Sequence, residues 1–197
     1  MAYIFIPMQF HPATVQMHTT TPLGKVWLAA SPLGLVGLWF DGQRHLPSTL
    51  NGPNAWQHDD QHPVLRAAAQ QLGEYLHGTR TQFDLPLDYS GGTPFQQDVW
   101  RALLGIARGQ TISYGALGQR IGRPSAVRAV GAAVGRNPLS VVVPCHRVLG
   151  HDGSLRGYAG GLERKTALLQ LESAWPASAC PAGPHGLHAS PAHSAAL

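Results

Sequence analysis

The segment at residues 141–150 reads VVVPCHRVLG and lies in the C-terminal half of the chain. Three consecutive valines favour a buried strand, and Pro144 cannot donate a backbone hydrogen bond to a sheet. The pattern therefore predicts a strand over residues 139–143 that stops at Pro144. If the strand ends there, Cys145 is expected to lie at a surface or in a pocket.

Two side chains that can activate a thiol follow Cys145 directly. His146 and Arg147 supply hydrogen-bond donors and positive charge, which lower a thiol pKa. A pKa lowered by about 2 units makes thiolate the main form at neutral pH. His146 is also the nearest candidate base, acting directly or through a water, and Glu172 on the predicted last helix is a carboxylate that can orient it. The alternative hypotheses are that Cys145 is an inert core residue and that Glu172 is a solvated glutamate at a helix end.

The composition is that of an ordinary globular protein and excludes several classes. The chain has 197 residues, of which 44% are apolar and 12% charged. Its two cysteines, Cys145 and Cys180, are too few for a disulfide framework, which predicts free thiols in a reducing compartment. The absence of a signal peptide or membrane-spanning segment predicts a cytoplasmic protein. His58 and His62 lack an accompanying CxxC or HExxH motif, so no metal site is expected.

Basic residues are concentrated in the second half of the chain. Residues 1–92 carry four Lys or Arg and six Asp or Glu, whereas residues 93–175 carry ten and four, and nine of those ten are arginine. Because arginine matches phosphate geometry better than lysine does, this asymmetry suggests a polyanionic partner for the half that contains Cys145. A solvated basic surface is the alternative.

The order of predicted elements indicates an α+β fold. A small N-terminal antiparallel sheet-plus-helix domain is followed by a mostly helical C-terminal domain with a helix-turn-helix. In the N-terminal domain, strands are predicted at residues 14–21, 25–31, 34–40 and 81–87, with a helix at 62–78. The predicted divisions are an N-terminal extension at 1–13, the two domains at 14–90 and 93–175, and a disordered tail at 176–197. The tail is uncharged and rich in alanine and proline, so it cannot bury enough surface to order itself.

Capping residues mark the helix starts of the C-terminal domain. The sequence TPFQ at residues 93–96 is a capping box that opens a helix expected to end near residues 108–109. Ser113 and Ser125 are candidate caps of two shorter helices. These helices are predicted at residues 114–121 and 126–135. Two short helices joined by a Gly-Arg-Pro turn are typical of a helix-turn-helix.

The second helix of this pair is unusually bare of large side chains. Its inward stripe is predicted at Val127, Val130 and Val134. The other faces are mostly alanine and glycine, with Arg128 as the one long side chain in the middle. Such a helix can enter the minor groove of DNA with Arg128 between bases, or it can pack tightly against another helix. The basic neighbours Arg123 and Arg136 favour DNA.

Together these residues resemble a known family. The string PCHRV at residues 144–148 is similar to the active-site signature of the O6-alkylguanine-DNA alkyltransferases, also called methylated-DNA–protein-cysteine methyltransferases. The resemblance covers about residues 93–173. It includes Ser113-Tyr114-Gly115, Arg128, Arg136-Asn137-Pro138, residues 157–162 and residues 165–172. Residues 14–90 match the family's N-terminal domain only in outline.

The resemblance implies a single-use alkyl transfer. In the family, a cysteine sulfur takes the alkyl group from a flipped-out guanine directly and irreversibly, without a cofactor or a metal. By this resemblance, Cys145 is the acceptor, and His146, held by Glu172, removes its proton through water. Asn137 is implied to brace the turn that joins the second helix of the pair to the strand before the cysteine. The implied partner is double-stranded DNA with alkylated bases, bound by a monomer, and O4-alkylthymine stays open as a second substrate.

The remaining implied site residues hold the base and the DNA. Tyr114 rotates the 3′ phosphate and hydrogen-bonds the base, and Arg128 fills the vacated place in the stack. Backbone groups of Cys145, Val148 and Ala159 are implied to read the base, and Tyr158 to form a pocket wall. The DNA-binding set is completed by Arg123, Ser125, Ala126 and Arg136.

Three other functions fit parts of the sequence. A non-catalytic DNA lesion-binding protein would share the helix pair, but Cys145 argues against it. A cysteine hydrolase would use Cys145 and His146 but gives the basic helix pair no purpose. A helix-turn-helix regulatory protein that senses through Cys145 is excluded only weakly.

Overall fold

A computed structural model of the chain describes residues 8–175. Within this range, a small sheet and one long helix form the N-terminal half, and helices dominate the C-terminal half, so the predicted α+β class is confirmed. The predicted tail at 176–197, with Cys180, and the first seven residues of the predicted extension lie outside this range. None of the helices in residues 8–175 is long and apolar enough to span a membrane.

The sheet is the antiparallel meander that the turn residues predict. Its main strands are β1 (Val15–Thr21), β2 (Gly24–Ser31) and β3 (Gly34–Phe40). A short β4 (Gln57–His58) pairs in parallel with β1, which gives the strand order β3-β2-β1-β4. Nearly all of β2 and the whole of β3 are buried, because both faces of the sheet are covered. These strands therefore read as continuous apolar runs.

Helix α1 (Pro63–Leu76) covers one face of the sheet. It buries Leu65, Ala68, Leu72 and Tyr75, which lie at helical spacing along one stripe. The stripe contributes to the main core of the protein. The helix thus fixes the position of the Tyr75 ring near the end of α1.

A smaller tryptophan-rich cluster covers the opposite face. Trp27 and Trp39 form its centre, and Phe10 and Trp56 pack against them edge-on or stacked. Gly37 is required here, because a Cβ atom at this position would lie 1.7 Å from the Trp39 ring. The absence of a side chain lets the Trp39 indole lie across the sheet.

The outer edge of β3 is covered by two isolated bridges instead of strands. Leu87 bridges Leu35, and Leu139 bridges Leu38. The predicted strand at residues 81–87 is therefore wrong apart from Leu87. Pro86, which has no backbone N–H, only accepts a hydrogen bond from Leu35 N (2.8 Å), so no ladder can continue there.

Helix α2 (Pro94–Leu104) opens the C-terminal half with the predicted capping box. Thr93 Oγ1 accepts a hydrogen bond from Gln96 N, and Gln96 Oε1 accepts one from Thr93 N. The helix ends at Leu104, earlier than expected, because Gly105 N–H bonds to the carbonyls of the preceding turn. Ile106 is buried beyond the helix end.

The predicted pair of short helices follows. Helix α3 (Tyr114–Arg120) has Ser113 as its N-cap, with Ser113 Oγ accepting from Ala116 N at 3.1 Å. Helix α4 (Val127–Gly135) begins after Ala126, which makes no side-chain cap bond, so the prediction of Ser125 as cap is wrong. Val130, Ala133 and Val134 form its buried stripe, whereas the predicted member Val127 is 41% exposed.

Short strands and a last helix complete the C-terminal half. Strand β5 (Ile112–Ser113) pairs in parallel with β6 (Val148–Leu149), which follows a 3₁₀ turn at Cys145–Arg147. Helix α5 (Leu162–Leu171) then packs against that turn and ends at Glu172. The turn with Cys145 therefore lies between the β5–β6 pair and α5.

One continuous core joins the two halves, and Trp100 is among its largest fully buried side chains. Its indole Nε1 donates a hydrogen bond to Ala133 O at 2.9 Å, which links α2 to α4. Trp100 therefore contributes both apolar burial and a satisfied polar group to this contact.

We expect Trp100→Phe to lower the free energy of unfolding by about 2–4 kcal/mol, because it leaves a cavity and removes the buried hydrogen bond to Ala133 O. Leu104→Ala on the same helix removes a side chain that is 46% exposed and should change stability by less than about 1 kcal/mol. Urea unfolding of both variants measures the difference. Equal losses would contradict the central position of Trp100.

Candidate active site

The turn before Cys145 is held by one buried asparagine. Asn137 Oδ1 accepts from Leu139 N at 3.0 Å, and Asn137 Nδ2 donates to Val143 O at 2.8 Å. Val143 N also bonds back to Leu139 O at 2.8 Å, which closes a turn of five residues. The strand predicted over residues 139–143 is therefore wrong apart from Leu139, because side-chain and turn hydrogen bonds take the place of a ladder.

Val141 occupies the most strained backbone position of this turn. Its φ is +70°, a left-handed conformation that a β-branched residue rarely adopts. The three valines at 141–143 are buried, as predicted. Their burial anchors the turn in the protein interior, and the hydrogen bonds of Asn137 fix its backbone.

Cys145 lies at the end of this turn and is buried, with its side chain 5% exposed. Cys145 Sγ lies 3.1 Å from Asn137 Nδ2, which donates to it. Burial raises the pKa of the Cys145 thiol, although the Asn137 hydrogen bond and the positive charge of Lys165 act in the opposite direction. The backbone hydrogen bond from His146 also lowers this pKa, as predicted, but Arg147 bonds to Glu172 instead, and burial outweighs the lowering. The resting side chain is therefore a protonated thiol.

His146 is fully buried and has one nitrogen engaged. His146 Nε2 lies 2.6 Å from Glu172 Oε1, so the predicted pairing of these two side chains is present. His146 Nδ1 is buried and has no hydrogen-bond partner among the described residues. Burial lowers the pKa of His146, which outweighs the Glu172 carboxylate that raises it. At neutral pH the imidazole is thus neutral, with Nδ1 available to accept a proton.

Glu172 is the most heavily bonded carboxylate of the site. Arg147 Nε donates to Glu172 Oε2 at 2.7 Å, and Arg147 Nη2 donates to Glu172 Oε1 at 3.1 Å. Burial raises the pKa of Glu172, but the hydrogen bonds from His146 and Arg147 lower it to about 2. The carboxylate therefore stays ionised through the physiological pH range.

Arg147 and Tyr75 belong to this network, although the sequence did not place either of them there. Arg147 Nη1 donates to Ile106 O, and Tyr75 donates from α1 to the Glu172 carboxylate. The N-terminal half, in which no chemistry was predicted, thus reaches the site. Since Tyr75 lies 97 residues before Glu172, only its position on the buried stripe of α1 could have drawn attention to it.

The side chains predicted to bind the base are buried or partly buried. Burial raises the pKa of both Tyr114 and Tyr158, and the negative charge of a Cys145 thiolate acts on both in the same direction. Val148 is buried, and its carbonyl accepts from Lys165 Nζ at 2.6 Å.

The Ala159 carbonyl of the predicted base-reading set already accepts a hydrogen bond. Its donor is Arg44 N at 3.1 Å. A carbonyl oxygen has a second lone pair, so the Ala159 and Val148 carbonyls both keep the capacity to accept from a ligand. The predicted set is therefore compatible with the bonds that the structure shows.

Lys165 is a buried residue whose part sequence reasoning missed. Its ammonium also donates to Arg156 O at 2.9 Å. Burial lowers the pKa of Lys165 to about 8, whereas a Cys145 thiolate raises it. Lys165 thus links β6 to the loop before α5 through these hydrogen bonds and contributes positive potential near Cys145. Within residues 8–175, no three His, Cys, Asp or Glu side chains are grouped to hold a metal ion.

The residues predicted to bind DNA lie outside this buried site. Arg123, Ser125 and Arg128 are exposed, on the turn between α3 and α4 and at the start of α4. Ala126 and Arg136, at the two ends of α4, are partly buried. The buried stripe of α4 faces the core, so the small and basic side chains of the other faces point outward.

Comparison with known proteins agrees with this geometry. The family model described as 6-O-methylguanine DNA methyltransferase, DNA binding domain, matches residues 94–174. The model described as 6-O-methylguanine DNA methyltransferase, ribonuclease-like domain, matches residues 16–89. Both halves of the chain thus match models of the same protein family.

Curated relatives and solved structures give the same result. A methylated-DNA–protein-cysteine methyltransferase of Mycobacterium tuberculosis is 45% identical over 152 residues, which is 77% of this chain and 88% of the relative. One from Salmonella typhimurium is 40% identical over 158 residues, covering 77% and 91%. The crystal structure of Mycobacterium tuberculosis OGT in complex with DNA superposes with a TM-score of 0.72 at 42% identity, covering 81% of this chain and 92% of that one. The chain therefore belongs to the methylated-DNA–protein-cysteine methyltransferase family.

Proposed function

We propose that this protein repairs double-stranded DNA by moving an alkyl group from O6 of guanine to Cys145 Sγ. The observation that carries the proposal is the buried Cys145–His146–Glu172 arrangement, in which His146 has one nitrogen on Glu172 and the other unpaired. The carbon–oxygen bond of the lesion breaks as the sulfur–carbon bond forms, and the guanine oxygen keeps the electron pair and takes up a proton. The thioether is stable, so each molecule reacts once.

The proton of the thiol goes to His146 in this proposal. Burial keeps the Cys145 thiol protonated at rest, so a base must act as the alkyl group moves. His146 Nδ1 is buried and unpaired among the described residues, which suits a single water that relays the proton from Cys145. The ionised Glu172 then stabilises the imidazolium through the 2.6 Å bond to His146 Nε2. The step as written needs no cofactor and no metal.

The flipped base enters the pocket beside the sulfur. Tyr114 and Tyr158 form its walls, with the Tyr114 hydroxyl as a hydrogen-bond donor to the base. The free lone pairs of the Cys145 and Val148 carbonyls accept from the base edge, and Ala159 supplies a further backbone contact. O4-alkylthymine presents a similar alkyl oxygen and is a second candidate substrate.

DNA lies against the exposed face of the α3–α4 pair, which acts as a helix-turn-helix. The outer side of α4 carries Arg128 and Ala132, so DNA can approach the helix backbone closely. Arg128 replaces the flipped base in the stack, and Arg123, Ser125, Ala126 and Arg136 contact the flanking backbone. The similar protein from Mycobacterium tuberculosis crystallised in complex with DNA, which supports the proposal that this chain binds DNA. A monomer acting in the cytoplasm is sufficient for such a reaction.

Transfer to Cys145 is tested by incubating the protein with excess duplex that contains O6-methylguanine and weighing its proteolytic peptides. We expect one methyl group per molecule on the Cys145 peptide and none in Cys145→Ala. Cys180→Ala is the matched control, since it removes the other cysteine and should leave transfer intact. Turnover beyond one methyl per molecule, or transfer to another residue, contradicts the proposal.

The same experiment separates the alternative functions. A lesion-binding or regulatory protein would bind the duplex without any gain of mass. The alkyltransferase is distinguished by loss of methyl from the DNA and its gain by the protein in equal amounts.

The role of Arg128 is tested by comparing duplex DNA with the free base O6-benzylguanine as substrates. Arg128→Ala should slow repair of duplex by about tenfold or more, because base flipping costs a few kcal/mol that the inserted side chain offsets. Reaction with the free base should be unchanged. Arg101→Ala removes an exposed arginine of α2 and serves as the control. Equal losses on both substrates in Arg128→Ala would remove the role in base flipping.

A further inference from the structure

We propose that Tyr75 is a positioning residue of the alkyl transfer, because its hydroxyl bonds to the same oxygen of Glu172 that holds His146 and so limits how strongly His146 binds a proton. The inference rests on the proposed function of Cys145 and His146. It extends the reacting network to the N-terminal half of the chain. Tyr75 acts on His146 through Glu172.

The direction of each hydrogen bond around Tyr75 follows from the donors available. Arg147 Nη2 lies 3.2 Å from the Tyr75 hydroxyl, and a guanidinium can only donate. Glu172 is ionised and can only accept, so the Tyr75 proton is directed to Glu172 Oε1. Tyr75 is 1% exposed, and water therefore does not compete for this proton. The hydroxyl thus completes a closed ring of Arg147, Tyr75 and Glu172.

Glu172 Oε1 is shared among three donors. His146 Nε2 lies 2.6 Å away, Arg147 Nη2 lies 3.1 Å away, and the Tyr75 hydroxyl is the third. Each added donor withdraws negative charge from the oxygen and weakens its attraction for a charged imidazole. Removing the Tyr75 hydroxyl should therefore raise the pKa of His146.

The other charged groups around His146 act alongside the Tyr75 hydroxyl. Arg147 and Lys165 lower its pKa, Glu172 raises it, and Cys145 precedes it on the same turn. Arg108, from the loop after α2, bonds to Leu171 O instead of Glu172. Burial raises the pKa of Tyr75 to about 12, so the hydroxyl remains a donor throughout the working pH range.

Helix α1 fixes the hydroxyl in place. Tyr75 lies on the buried stripe of α1, and its ring packs against Phe83 with the ring centroids 4.9 Å apart. Helix α1 in turn packs on the sheet. The sheet and α1 therefore serve the reaction by holding one hydroxyl against Glu172.

The test is the titration of His146 in the full chain, followed by nitrogen-15 NMR of the imidazole, in the wild type and in Tyr75→Phe. We expect the pKa of His146 to rise by about 0.5 to 1 unit in Tyr75→Phe. Tyr89→Phe is the matched control, since the Tyr89 hydroxyl is buried but has no hydrogen-bond partner among residues 8–175. An unchanged titration in Tyr75→Phe overturns the inference. The titration needs no substrate, so it is decided independently of whether Cys145 accepts an alkyl group.

The pH profile of transfer to Cys145 is the second readout. His146 must be neutral to take the proton. The acid limb of the pH–rate profile should therefore move to higher pH in Tyr75→Phe, by the same amount as the pKa of His146. Tyr89→Phe should leave the limb in place. A uniform loss of rate without a shift would mean that Tyr75 is only structural, which overturns the inference.

A stronger donor at the same position should act in the opposite direction. The hydroxyl of 3-fluorotyrosine is more acidic than that of tyrosine, so its introduction at position 75 should lower the pKa of His146. This variant keeps every contact of the ring and is informative even if Tyr75→Phe fails to fold. A rise, or no change, contradicts the inference.

Discussion

The buried ion pair between Arg147 and Glu172 is the interaction on which the rest of the structure depends. Its two charges are almost completely shielded from water, and each would be left uncompensated without the other. Leaving one such charge unpaired costs about 3–5 kcal/mol, so the end of α5 and the turn at Cys145–Arg147 must form together. Tyr75 brings α1 into the same requirement. Correct folding of both halves and correct placement of His146 are therefore one condition.

The protein has an exposed basic surface on the α3–α4 pair and a separate buried site around Cys145 and His146. The α3–α4 pair presents basic and small side chains to solvent, which suits a polyanion that must be approached closely. In the interior, the Cys145 thiol stays protonated beside a neutral His146. The nucleophile is therefore protected until an alkylated nucleobase binds beside it. Such protection matters for a protein that reacts once, because any side reaction of Cys145 would remove it permanently.

The sequence predicted local features well and non-local ones poorly. The meander, the capping box at residues 93–96 and the Ser113 cap are confirmed, because each depends on neighbouring residues. The three valines suggested a strand, but the Asn137 amide bonds the intervening backbone into a turn. The predicted lowering of the Cys145 pKa is not found, because Arg147 bonds to Glu172 and burial of the thiol dominates. The contact of Tyr75 with Glu172 joins residues far apart in the chain, which no local pattern encodes.

In the proposed reaction, His146 bonds to Glu172 through Nε2 and keeps Nδ1 for the proton of Cys145. A crystal structure at a resolution that shows ordered water tests this most directly. The predicted result is one buried water within hydrogen-bonding distance of both His146 Nδ1 and Cys145 Sγ, with Nε2 on Glu172. A dry Nδ1 packed against carbon atoms, or an imidazole turned so that Nδ1 meets Glu172, would contradict the proposed route of the proton.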